Sequence, residues 1–125
     1  MAIARDTDAK RVKPLEGAIV RRFTAGAAVA AGQVVAMQSD GFVDPANTTA
    51  AAQQVAGIAI QAVAAGERAD VVVFGPIVCL TGATPGATLH ASNTAGEPAE
   101  SAGTNAGIVG FVESATVAFV RPVSA

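Results

Sequence analysis

The sequence predicts a mainly β protein: a small β-barrel or β-sandwich built from two half-repeats, with an extended N-terminal arm and at most one short helix. Three observations carry this. Turn-forming residues punctuate the 125-residue chain every six to twelve positions, through SDG at 39–41, DPAN at 44–47, AGERAD at 65–70, FGP at 74–76, TPG at 84–86 and TAGEP at 94–98. Valines cluster at 34–35, 71–73, 109–112 and 117–120, and β-branched clusters suit strands. Finally, one apolar phrase is written twice, as AGIAIQA at 56–62 and AGIVGFV at 106–112.

Residues 1–16 read as an extended, polar and basic arm ending near Pro14. Residues 1–22 hold six of the eight basic side chains (Arg5, Lys10, Arg11, Lys13, Arg21 and Arg22) against three acids. A basic run of this kind is either a solvated terminus or an arm that reaches an acidic neighbour. Asp6 and Asp8 share one side of an extended chain and could touch a cation, although solvation is the commoner fate of such a pair.

Residues 17–125 read as a single β domain, since a chain of this length supports one core and not two. The stretch 25–37 is alanine-rich, yet glycines at 26 and 32 and the lack of a capping box argue against a helix. Residues 46–54, ANTTAAAQQ, lack glycine and read equally well as a turn or two of helix or as a polar loop.

The half-repeats span about 24–80 and 84–123. The first runs GAAV (26–29), GFVDPA (41–46), VAGIAIQAV (55–63) and DVVVF (70–74). The second runs GATL (86–89), GEPAES (96–101), NAGIVGFV (105–112) and TVAFV (116–120). Gly57 and Gly107 are expected to mark where the two equivalent strands begin, with Gly110 a further structural glycine.

Composition narrows the function. Apolar residues are 51% of the chain but aromatics only 4%, so the core is built from small side chains and buries little area per residue. Association is one remedy for such a core. A net charge of −2 disfavours a nucleic-acid binder as a whole, although the basic arm leaves a salt-sensitive DNA role open. The single Cys79 excludes an internal disulfide, and the polar N-terminus lacks a signal-peptide core, so a soluble protein made in a cytoplasm is expected. With one histidine, His90, and one cysteine, neither a zinc cluster nor a Cys–His catalytic pair can be assembled. No phosphate-binding glycine motif occurs. The expectation is therefore no enzyme, no metal and no cofactor. A lysine-bearing carrier domain is also disfavoured, because Lys10 and Lys13 both lie in the arm.

The order RFTAGAAVAAGQVVAMQSDGFVDPA, VAGIAIQAVAAGERADVVVFGPIVCL, GATLHASNTAGEPAES and AGIVGFVESATVAFVRP resembles the decoration, or cement, proteins of tailed bacteriophages. In particular it resembles a group of prophage structural proteins first catalogued as a domain of unknown function. Residues 57–59 (GIA), 75–78 (GPIV) and 107–110 (GIVG) carry the resemblance, which extends from about residue 18 to 123. It implies a β-rich homotrimer on the virion surface, bound to the major capsid protein and stabilising the capsid, with no nucleic-acid or membrane partner. Similar proteins add an N-terminal segment to a capsid edge, which would give Arg5, Lys10, Arg11, Lys13 and Pro14 a capsid-binding role. The alternatives are another virion component, such as a head-fibre base or tail-associated β domain, and a small β-barrel ligand-binding module.

Overall fold

A computed structural model describes residues 3–123. The described chain is all-β. In order, its strands are β1 (Ala4–Arg5), β2 (Lys13–Pro14), β3 (Ile19–Thr24), β4 (Val34–Met37), β5 (Val43–Pro45), β6 (Gln54–Ala59), β7 (Arg68–Val78), β8 (Leu80–Thr81), β9 (Thr88–Ala91), β10 (Pro98–Ala99), β11 (Ile108–Ser114) and β12 (Val117–Val120). Every strand pair is antiparallel.

Pairing order repeats along the chain. The first set of four strands lies in the order β5-β4-β6-β7 and the second in the order β10-β9-β11-β12. The closing strands β7 and β12 then pair with each other, from Gly75 opposite Val120 to Val78 opposite Val117. Register fixes which residues correspond. Gly57 faces Val35 and Gly110 faces Leu89, while Ile58 faces Val72 and Phe111 faces Phe119. Each glycine sits at a register shift, where its strand carries one extra residue. A Cβ at Gly57 would run into the Val72 carbonyl oxygen, and one at Gly110 into that of Phe119. Two chain segments thus approach closely at matched points, which only glycine permits.

The partner of Gly57 is therefore Gly110 and not Gly107, which lies one residue before β11. Gly57 itself lies inside β6 and does not mark its start. Likewise GATL corresponds to GQVV (32–35) rather than to GAAV. Gly32 and Gly86 both have positive φ, and their N–H groups donate to the carbonyls of Ala59 and Val112, which are themselves equivalent.

β7 joins the units. Its first part, up to Phe74, lies between β3 and β6, and its last part, from Gly75, lies between β2 and β12. The change happens at Gly75, where φ is +107° and a Cβ would come within 2.8 Å of the Ala18 Cα. Alternating side chains along β4, β6 and β7 feed two cores, as a strand with both faces buried must. Val34, Ile58 and Val72 join Ile77, Leu80, Leu89, Val109, Val112 and Val120 in the larger core, which draws on both units. Val35, Ala59 and Val71 join Ala25, Val29, Val43 and Ala69 in a smaller one. Alanine and valine suit that second core because the sheet around it curls tightly: Ala25, just past β3, bridges to Val43 in β5.

One reading left open is settled, and one expectation changes. The stretch 46–54 forms a loop leading into β6 and no helix. Its backbone is committed elsewhere: Thr48 N–H donates to Ser92 O and Gln53 N–H to Ala106 O, while the Asn47 side chain accepts from Thr49 N–H. The described part of the expected arm, residues 3–16, is not extended away from the body. β1 pairs with β8, β2 pairs with β7, and Val12 is buried in the larger core with Ile3 packed against it. Apolar residues at 3 and 12, spaced around a polar turn, give the segment something to bury, which its charge conceals.

Candidate interaction surface

The N-terminal turn is held by one carboxylate. Asp6 is 4% exposed, and its oxygens accept from Asp8 N–H at 2.9 Å and from the Arg11 guanidinium at 2.9 and 3.2 Å. The Arg11 hydrogen bond, followed by that from the Asp8 backbone, holds the Asp6 carboxyl below its ordinary value, and Arg11 is correspondingly raised. Arg5 is anchored as well, with its side chain only 16% exposed. Its Nε donates to Glu97 at 2.7 Å and its Nη1 to the Ala31 carbonyl at 2.9 Å. Lys10 and Lys13 are exposed, and Pro14 is half-buried opposite Ile77. The structure thus does not gather the five arm residues into one site. Arg5 ties the segment to the body, Arg11 braces the turn within the segment, and the two lysines face solvent.

A polar knot around the buried Thr48 joins loops of the two units. The Thr48 hydroxyl donates to Asn93 Oδ1 at 2.7 Å, Thr104 N–H donates to the same oxygen, and Asn105 Nδ2 donates to the Thr48 carbonyl at 2.8 Å. Gly103 leaves room for it, since a Cβ there would strike the Thr48 hydroxyl. The knot satisfies its own donors and acceptors, so it reads as architecture.

No cluster of three or more His, Cys, Asp or Glu side chains that could hold a metal occurs among the described residues. Burial pushes the Cys79 thiol up to about 12, far from the range of a nucleophilic cysteine. His90 is half-buried in β9, and its pKa is lowered by that burial.

Apolar side chains instead emerge on one outer face. Phe111 stacks on Phe119, its direct cross-strand partner, with ring centroids 4.9 Å apart. Phe119 meets Phe74 edge to face at 5.3 Å, and Phe74 lies opposite Ile19 on β3. The Arg121 guanidinium sits over Phe111 at 6.0 Å. Ile19 is 54% exposed and Phe74 42%, so the stripe across β11, β12, β7 and β3 grows more open toward β3. Packed rings would hold such a stripe rigid, and rigid apolar surface is typical of binding faces. A second surface feature is a shallow pocket of mixed polarity lined by Met37, Gln54, Val55, Ala56, Pro122 and Val123.

Known proteins add no name to this surface. Comparisons with family models, curated proteins and solved structures return no match.

The stripe was not among the residues singled out from the sequence. Its signal was present in the hairpin FVESATVAF, where a tight turn at 115–116 places Phe111 opposite Phe119. The contribution of Phe74 and Ile19 depends on β7 pairing with β3, which sets residues 19 and 74 opposite each other and which no local pattern reveals.

Proposed function

We propose that the protein is a structural subunit of a virion. It binds the outer surface of a phage head, clamps neighbouring copies of the major capsid protein, and does so as a homotrimer. The observation that supports this best is the open apolar stripe from Phe111 to Ile19, carried on a rigid β body. The motif order that resembles phage decoration proteins supplies the specific partner. Cementing suits such a surface, because many modest contacts repeated by symmetry sum to tight attachment without a deep pocket. A closed assembly would also cover apolar area that a small-residue core leaves outside.

Docking of residues 3–16 on the body shifts the expected contact from the arm as a whole to the exposed Lys10 and Lys13 and the stripe. The test is co-sedimentation of the purified protein with expanded heads, alongside light scattering of the protein alone. Binding and a trimeric mass are expected, and Phe74→Ser with Ile19→Ser should weaken both while leaving the β-sheet circular dichroism unchanged. A monomer that fails to sediment with heads would overturn the proposal.

A further inference from the structure

The stripe ends on β3, whose outer edge has no strand partner among the described residues along Ile19–Thr24. Such an edge offers a row of main-chain donors and acceptors. Edges are usually kept short, covered or interrupted by proline, whereas this one is six residues long and proline-free. Four successive exposed side chains mark it: Ile19, Val20, Arg21 and Arg22.

The charges around it select the kind of partner. Arg22 donates to Asp70 at 3.0 Å yet remains largely open to solvent, and Arg21 lies over the Phe23 ring at 5.6 Å with no carboxylate partner among the described residues. Exposed residues of both signs lie at each end of the edge, Lys13 and Glu16 at one and Arg68 and Glu67 at the other. The middle of the edge is therefore basic. A second copy pairing antiparallel through the same strand would bring arginines against arginines, which is destabilising across a ladder.

From this juxtaposition of a free edge, two apolar side chains and two arginines, we propose that β3 accepts an added strand from another protein. That strand carries carboxylates opposite Arg21 and Arg22 and apolar side chains opposite Ile19 and Val20. Main-chain hydrogen bonds supply the attachment, and the arginines set the register and exclude self-pairing. The inference concerns the edge alone and stands whether or not the protein binds capsids.

The test uses the full chain and two capped eight-residue peptides of valine and threonine, one with two adjacent glutamates and one with two adjacent lysines. Amide exchange is followed over residues 19–24. Alternate amides of β3 point away from β7 and should exchange freely in the protein alone. Saturating glutamate peptide should slow those amides at least tenfold, and the lysine peptide should not. Arg21→Glu with Arg22→Glu should reverse the preference, while Arg21→Lys with Arg22→Lys should keep it, which separates charge selection from misfolding. Equal protection by both peptides, or none by either, would overturn the proposal. So would protection of the same amides by a short DNA duplex at lower concentration than by the glutamate peptide.

Discussion

Replacing Gly57 or Gly110 with alanine tests the matched architecture at its tightest points. Both residues have positive φ, +157° and +154°, and at both a methyl group would overlap a carbonyl oxygen of the neighbouring strand. Unfavourable φ contributes about 1–2 kcal/mol, and the overlap, which forces the strands apart, adds about 1–3 kcal/mol. Each variant should therefore lose about 3 kcal/mol, a large share of the roughly 5–15 kcal/mol that holds a domain of this size folded. Gly107→Ala is the control, because its φ is ordinary and the nearest atoms to a Cβ are the Ala91 and Thr48 methyl carbons at 3.2 Å. It should cost about 1 kcal/mol or less, as a small repacking does. Urea denaturation followed by circular dichroism measures all three. The reasoning fails if Gly107→Ala proves as costly as Gly57→Ala while Gly110→Ala is silent, since Gly107 would then be the equivalent residue.

Three further outcomes are expected. Val12→Ala should destabilise the whole domain by about 2 kcal/mol, because the N-terminal segment shares the main core; an unchanged urea midpoint would mean that the segment is an appendage. The Asp6 carboxyl is held below 3.8 by Arg11, so the unfolded chain takes up this proton first as pH falls; the stabilisation is full above about pH 4 and is lost as pH drops through the folded-state value. An NMR titration should place the Asp6 midpoint below 3.8 and move it upward in Arg11→Ala, and a midpoint at or above 3.8 in the parent would refute the ion pair. The buried Cys79 thiol, pushed up to about 12, should resist a thiol reagent at pH 8 until urea unfolds the chain, whereas rapid labelling of the native protein would contradict its burial.

The fold class was legible because it rests on local signals: turn residues at short spacing and valine clusters between them. The repeat was legible in outline but not in register. Identical letters drew Gly57 toward Gly107, yet the matching strands are VAGIA at 55–59 and IVGFV at 108–112. These share an apolar pattern around one bulge glycine and only that glycine as a common letter. A bulge adds a residue without changing composition, so letter matching slides past it. The basic N-terminus misled for a different reason. Its charges suggest solvation, but the pairing of Arg5 with Glu97 and the burial of Val12 need partners brought from the rest of the chain. The aromatic stripe likewise depends on long-range pairing, with Ile19 and Phe74 joined only once β3 lies against β7.

Attachment of this β body to the outside of a phage head is a proposal open to direct observation. Cryo-electron microscopy of heads assembled with and without the protein tests it most directly. The account predicts added density on the outer capsid faces, seated over contacts between neighbouring capsid subunits. Density confined to the tail, or heads identical in the two reconstructions, would contradict it.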